Sequence, residues 1–218
     1  MGKPWEETKN RRRRRILVLR KKFLIYTEGG TEKAYLDHFK TTTNPEVVAV
    51  DASRNKLSLV KFAIEDRQRR AANDKFDPDY DVTWVVFDRD VDPKNSSDKS
   101  NFNNALTLAE RNGIQVAYSN DSFELWYLLH FQEVSGPLHR REIDHKLSIH
   151  LGRTYKSRHR SKIEDLFDIV HSVQATALKR AENLYKKHTG ESPESANPST
   201  TVHLLIIDLM SEPGAIEK

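Results

Sequence analysis

Short apolar runs alternate with amphipathic stretches along the first 132 residues of the chain. The apolar runs predict four β-strands, at 23–27, 46–50, 82–87 and 114–118. Apolar residues at helical spacing predict helices at 32–40, 56–72, 101–111 and 123–131. The strands are apolar throughout, which is typical of strands buried on both faces. The pattern therefore predicts an α/β fold, with a parallel sheet of about four strands covered by helices on both faces.

From residue 136 onwards the chain becomes helical in character. Helical spacing predicts a helix at 138–150, a long amphipathic helix at 163–188 and a short helix at 201–210. Residues 189–200 are rich in Ser, Pro, Gly and Asn, which indicates a loop. We therefore predict three parts, namely a basic N-terminal arm at 1–22, an α/β domain at 23–135 and a helical C-terminal extension at 136–218 that packs on that domain.

The chain has 218 residues and contains no cysteine. This composition excludes disulfides, cysteine-ligated zinc or iron–sulfur centres and a thiol nucleophile, and it fits a cytoplasmic protein. No apolar run approaches the roughly 18 residues that a membrane-spanning helix requires. We therefore expect a cytoplasmic protein that has no membrane partner.

The basic residues are unevenly distributed. The net charge is +4, from 36 Lys and Arg and 32 Asp and Glu, but the arm at 1–22 alone holds ten basic and two acidic residues. Such clusters can attract nucleic-acid phosphates, and they can equally be solvated segments. The candidate phosphate-contacting residues are those of the arginine run and of a later basic loop, namely Arg11, Arg12, Arg13, Arg14, Arg15, Lys156, Arg158 and Arg160.

Carboxylates follow two of the predicted strands. Glu28 follows the first strand and precedes two glycines, while Asp88, Asp90 and Asp92 come directly after the strand at 82–87. Ligands of parallel sheets bind where the strands end, but these acids can converge only if the two strands are neighbours. Because the cluster offers oxygen ligands alone, it favours Mg²⁺ or Mn²⁺ over zinc. We therefore predict that Glu28, Asp88, Asp90 and Asp92 share one divalent ion in a metal-assisted phosphodiester or phosphoryl-transfer site.

Three further residues could have either a functional or a purely structural role. Glu124 lies in the first turn of the helix after the fourth strand, so it is either an additional metal ligand or an acid favoured by the helix dipole. Glu32 lies one turn inside the first helix, for which Thr31 is the predicted N-cap, and we interpret Glu32 as a capping-type residue. His130 lies among aromatic residues, and we interpret it as a packed, hydrogen-bonded histidine.

Several segments of the chain resemble one known family. Glu28-Gly-Gly-Thr-Glu32 and Phe87-Asp-Arg-Asp-Val-Asp92 resemble the lone Glu and the Asp-x-Asp of the Toprim signature. The segment at 119–131, the Tyr155-Lys156 pair and the segment at 197–200 resemble the RloB family, and the similarity runs from about residue 23 to residue 210. Asp121 and Gly30 depart from the residues that are frequent in the family.

The resemblance implies a Toprim-fold endonuclease that acts as the effector of a prokaryotic antiviral, abortive-infection system. It implies that Glu28 is the general acid or base and that Asp88 and Asp90 are Mg²⁺ ligands, with Asp92 and Glu124 as additional ligands. It also implies an RloA-like ATPase partner and a nucleic-acid substrate, either DNA or RNA such as tRNA, and it leaves a homo-oligomer open.

Two other functions are compatible with the same residues. Trp84-Val-Val-Phe-Asp-Arg-Asp90 also resembles the nucleophile strand of haloacid-dehalogenase-like phosphatases, in which Asp88 would be the nucleophile, but Glu28 would then have no role. The third hypothesis is a non-catalytic subunit that binds nucleic acid or docks on an ATPase.

Overall fold

The computed structural model describes residues 21–41, 46–49, 55–79, 81–90, 96–155 and 164–211. One sheet has the strand order β2-β1-β3-β4-β5. The strands are β1 (Phe23–Thr27), β2 (Glu46–Ala49), β3 (Val82–Asp88), β4 (Gln115–Asn120) and β5 (Ser199–Thr200). The first four are parallel, and β5 pairs antiparallel with β4. The predicted α/β architecture, consistent with a Toprim-like fold, is therefore confirmed.

Eight α-helices surround this sheet in the part of the chain that the structure describes. They are α1 (Gly30–Asp37), α2 (Lys56–Ala71), α3 (Ser96–Arg111), α4 (Glu124–Phe131), α5 (Arg140–Leu151), α6 (Glu164–His171), α7 (Gln174–Lys187) and α8 (Val202–Met210). None of the helices in these ranges combines the length and the apolarity needed to cross a bilayer.

The two faces of the sheet bury two separate cores. Successive side chains of a strand point to opposite faces, so Ile25 and Trp84 join a core formed with α1 and α4 to α8, whereas Tyr26 and Val85 join one formed with α2 and α3. The C-terminal helices therefore pack on the same face as α4. The division of the chain into an arm, a domain and an extension stays a prediction.

Local details differ from the sequence-based expectations at two helices. The helix predicted at 163–188 is two helices within the described residues, because the chain turns after His171. Ser172 bonds the Ile169 carbonyl through its hydroxyl group, which competes with continuation of the helix, and Val173 has a non-helical φ of −116°. Helix α1 begins at Gly30 with Gly29 as its N-cap, so the prediction of Thr31 at that position is wrong.

The strand β5 lies inside a segment predicted as a loop. Its two residues are fully buried, and Thr200 Oγ1 lies 2.8 Å from Ser119 Oγ of β4. Such a short antiparallel strand has too few residues to show a period in the sequence. It extends the sheet beyond β4 and brings the chain to the start of α8.

The burial pattern predicts that alanine substitutions at two isoleucines change the free energy of unfolding by very different amounts. Ile25 on β1 is fully buried and Ile149 on α5 is 65% exposed. Ile25→Ala should lower the free energy of unfolding by about 2–5 kcal/mol, because it leaves a cavity. Ile149→Ala should change it by no more than about 0.5 kcal/mol. Urea unfolding followed by circular dichroism measures both, and equal effects would contradict the described sheet.

Candidate active site

Glu28 and Asp88 meet at the carboxyl ends of adjacent strands. The backbone N–H of Glu28 donates to the Val86 carbonyl (3.1 Å), which fixes the residue after β1 against β3. The backbone N–H of Asp88 in turn approaches Glu28 Oε2 at 3.4 Å. Because β1 and β3 are neighbours in the sheet, the condition for convergence of the two acidic motifs is met.

Asp90 joins these two acids through an unusual turn. Its φ of 50° lies in the left-handed region, which Asp tolerates better than most residues. The backbone N–H of Asp90 donates to the Asp121 carbonyl at 3.2 Å, at the end of β4. The intervening Arg89 is buried, and its Nε donates to the Glu194 carbonyl (3.3 Å). The turn therefore separates the side chains of Asp90 and Arg89 and ties β3 to β4.

A lysine from α2 bridges two of these acids. Lys56 is the first residue of that helix, and its side chain is only 10% exposed. Its Nζ lies 3.2 Å from Asp90 Oδ2 and 3.7 Å from Glu28 Oε1. A buried ammonium group between two carboxylates offsets part of their mutual repulsion.

An arginine from the C-terminal helices reaches the same acids. Arg140 is the first residue of α5, and its Nη2 contacts Asp90 Oδ1 and lies 3.7 Å from Asp88 Oδ2. Its backbone N–H donates to Oδ2 of the buried Asp121 at 3.0 Å. Asp121 therefore fixes the start of α5 beside the ends of β3 and β4.

Glu32 lies in the first turn of α1, as a capping-type residue does, but it also belongs to the acidic cluster. It is buried, and its Oε2 has no hydrogen-bond partner among the described residues. That oxygen lies 2.7 Å from the position that a Cβ at Gly29 would occupy. Glycine at this turn therefore makes room for the Glu32 carboxylate.

Glu124 completes the cluster from the other side. It is the first residue of α4 and is buried, and its Oε1 accepts a hydrogen bond from the Tyr155 hydroxyl at 3.3 Å. It also lies close enough to Glu32, Asp88 and Asp144 to raise their pKa values. We define the acidic cluster as Glu28, Glu32, Asp88, Asp90 and Glu124.

Burial and like charge both act on the protonation of these acids. Burial raises the pKa of Asp88 well above its usual value, and repulsion from Glu32 and Asp90 raises it further. Burial, followed by repulsion from Glu124, raises the pKa of Glu32 to about 8. Burial also raises the pKa of Glu28, although the charge of Lys56 opposes that rise. Lys56 and Arg140 therefore do not supply enough positive charge to compensate all five carboxylates of the cluster.

The donor set of the cluster fits a hard divalent cation. All five side chains offer carboxylate oxygens, and one buried oxygen of Glu32 lacks a partner among the described residues. Within the described ranges, no three acidic or histidine side chains are already spaced as a complete ligand set. Instead, Lys56 and Arg140 contact the carboxylates. An ion bound by Glu28, Asp88 and Asp90 would therefore have to replace these ion pairs.

Apart from His130, the remaining predicted residues lie outside the described part of the chain. Asp92 lies outside the described residues, as do the candidate phosphate-contacting residues Arg11, Arg12, Arg13, Arg14, Arg15, Lys156, Arg158 and Arg160. His130 is buried, with its Nδ1 2.8 Å from the Trp126 carbonyl oxygen, and burial lowers its pKa to about 4. His130 is therefore a neutral, packed histidine, as its aromatic neighbours indicated.

Sequence reasoning missed both basic residues of the site. Lys56 and Arg140 are each the first residue of a helix, where the helix dipole disfavours a cation. A cation at that position therefore indicates, from the sequence alone, that an acidic residue lies nearby in the fold.

Two surface cavities, of about 370 and 310 Å³, have no member of the acidic cluster in their walls.

Comparison with known proteins assigns the family. The family model described as RloB-like protein matches residues 23–209, from the first residue of β1 to within α8. None of the curated proteins matches the chain. The matched range contains every member of the acidic cluster, as well as Lys56 and Arg140.

The raised pKa of Glu32 predicts how stability depends on pH when no divalent ion is present. From pH 4.5, the ordinary value, to about pH 8, the unfolded chain releases this proton while the folded protein keeps it. Since the folded state binds more protons, the free energy of unfolding should fall as the pH rises through this window. Glu32→Gln cannot ionise and should therefore be more stable than wild type at pH 8, by about 1–3 kcal/mol.

Urea unfolding in EDTA at pH 5 and pH 8 measures this effect. Glu65→Gln removes the same charge from an exposed position on α2 and is the matched control. A Glu32→Gln protein that loses stability between pH 5 and pH 8 as steeply as wild type would contradict the buried, protonated carboxyl group.

Proposed function

The chain belongs to the RloB-like family, and from this membership and the acidic cluster we propose that it is a Mg²⁺- or Mn²⁺-dependent nucleic-acid phosphodiesterase, an endonuclease of the Toprim type. The observation that carries the proposal is the meeting of Glu28 with Asp88 and Asp90 at the ends of adjacent strands. The unpartnered buried oxygen of Glu32 supports it further.

In this proposal the aspartates bind the ion and Glu28 transfers a proton. Asp88 and Asp90 would hold the ion together with Glu28, and Glu32 and Glu124 belong to the same acidic cluster. When bound, Mg²⁺ or Mn²⁺ would supply positive charge to the oxygens of the scissile phosphate. Glu28, whose pKa burial raises, holds or accepts a proton at its carboxylate, either from the attacking water or for the leaving oxygen.

The biological role is a further part of the proposal. The resemblance of the acidic motifs and of the segment at 119–131 to the RloB family supports a cytoplasmic effector of prokaryotic antiviral defence. We propose that it acts with an ATPase of the RloA type and cuts DNA or RNA such as tRNA. The basic arm at 1–22 and the loop at 153–162 would add phosphate contacts.

One observation favours a second candidate function. The carboxylates already pair with Lys56 and Arg140, as they would in a purely structural ion-pair network. A non-catalytic subunit that binds nucleic acid or docks on an ATPase is therefore the alternative proposal. A haloacid-dehalogenase-like phosphatase is less well supported, because Glu28, which meets Asp88 at the ends of adjacent strands, would then have no role.

The cleavage assay uses the purified chain with Mg²⁺ or Mn²⁺, alone and with its ATPase partner and ATP. The substrates are labelled single- and double-stranded DNA, messenger-like RNA and tRNA. Glu28→Gln and Asp88→Asn should each lower the cleavage rate by about 10²–10⁴-fold, because the first removes the group that transfers a proton and the second removes a ligand of the ion. Glu110→Gln, an exposed residue on α3, is the control and should cut like wild type.

The same assay can contradict the nuclease proposal. If wild type cuts none of the substrates faster than Glu28→Gln and Asp88→Asn do, the nuclease proposal is wrong. If an Asp88→Asn/Asp90→Asn protein then still binds the ATPase and still restricts phage, the non-catalytic alternative holds instead.

A further inference from the structure

We propose that Arg140 binds a phosphate group of the substrate once the carboxylates of Asp88 and Asp90 have taken up their ion. The proposal rests on the proposed function, because it assumes a phosphodiester substrate at the acidic cluster. It adds a substrate-binding residue from α5, a helix that lies outside the two acidic motifs and that carries no catalytic motif of its own.

The position of the guanidinium group carries the inference. Arg140 contacts Asp90 and Asp88, the two residues that would hold the ion, yet its side chain is 43% exposed. It therefore lies at the rim of the cluster, where its side chain is partly exposed to solvent. A guanidinium fork presents its donors in the geometry that phosphate oxygens accept.

Asp121 anchors both the backbone of Arg140 and the Nε of its side chain, which lies 3.8 Å from Asp121 Oδ2, whereas Nη2 contacts the two proposed ion ligands. The backbone N–H of Arg140 donates to the buried carboxylate of Asp121, and α5 is closed by a capping box between His139 and Glu142. The helix start is thus anchored at the ends of β3 and β4. A side chain that starts from an anchored position can exchange one anion for another at small cost in conformational entropy.

Charge decides which anion the guanidinium group takes. Without an ion, Asp88 and Asp90 are short of positive charge and pair with Arg140. When a divalent ion satisfies these carboxylates, the guanidinium group keeps only the contact of its Nε with Asp121 Oδ2 (3.8 Å), and it then lies beside a second cation. A negatively charged phosphodiester oxygen between the ion and the guanidinium group would give that group a new partner. It would also reduce the repulsion between the two cations.

Lys56 contacts the same cluster and serves a different purpose. Its side chain is only 10% exposed and bridges Glu28 and Asp90 from the interior. From there it holds the two acids in place without facing solvent. Lys56 is therefore a positioning residue, whereas Arg140 is exposed enough to contact the substrate.

The test measures binding of fluorescein-labelled 30-nucleotide DNA and RNA by anisotropy, in Ca²⁺ and in EDTA. Ca²⁺ takes the same oxygen ligands as Mg²⁺. In Ca²⁺, Arg140→Gln should weaken binding about ten-fold, and Arg140→Lys should recover part of that loss because it keeps the charge without the fork. In EDTA, Arg140→Gln should weaken binding less than about two-fold, because the wild-type guanidinium group is then paired with Asp88 and Asp90.

The neighbouring Arg141 provides the matched control. It is exposed on the same helix turn, and Arg141→Gln makes the same change of charge. It should weaken binding less than about two-fold in both solutions. Thermal melting of each variant shows whether it is folded.

Mn²⁺ titration by calorimetry gives a readout that a merely structural role would not produce. Arg140→Gln should bind Mn²⁺ about three-fold more tightly than wild type, because it removes a competing cation from Asp88 and Asp90. Weaker Mn²⁺ binding, or an equal loss of oligonucleotide affinity in Ca²⁺ and EDTA, would overturn the proposal. A wild type that binds oligonucleotides in a Ca²⁺-dependent manner but cuts none separates failure of the nuclease function from failure of the Arg140 role.

Discussion

Mutual repulsion among buried carboxylates is the constraint on which the site depends. Parallel strands all end at one edge of a sheet, so an acid placed after each strand is brought into the same small space. Here β1 contributes Glu28 and β3 contributes Asp88 and Asp90, while α1 and α4 add Glu32 and Glu124. The acids outnumber Lys56 and Arg140, so protonation, as the raised pKa values indicate, or a bound cation must supply the remaining compensation.

The same constraint links the strand ends to the helix α5. Asp121 follows β4 and receives the backbone N–H of Arg140, while the Arg140 side chain turns back to Asp90. The Tyr155 hydroxyl, from just beyond α5, donates to Glu124. Helix α5 and the residue beyond it thus supply polar partners for acids at the strand ends, and α5 packs on α4 in the same core. The acidic site and the C-terminal helices are therefore parts of one arrangement.

The sequence predicts the individual strands and acidic residues better than it predicts which of them lie next to each other in space. Apolar runs predict β1, β3 and β4, because strands buried on both faces need apolar residues throughout. Glu28 and Asp88 stand out because they interrupt these runs at their ends. The strand order that makes them neighbours has no local signature, since it depends on how distant segments pair. For the same reason Lys56 and Arg140, far from the acids in the sequence, are visible only as cations at unfavourable helix positions.

The most direct test of the acidic cluster as a metal site is a crystal structure grown with saturating Mn²⁺, with anomalous scattering recorded for manganese. The account predicts an anomalous peak enclosed by the carboxylates of Glu28, Asp88 and Asp90, with Arg140 no longer paired to Asp90. A map without manganese at the cluster, in which Lys56 and Arg140 still contact the same carboxylates, would contradict it.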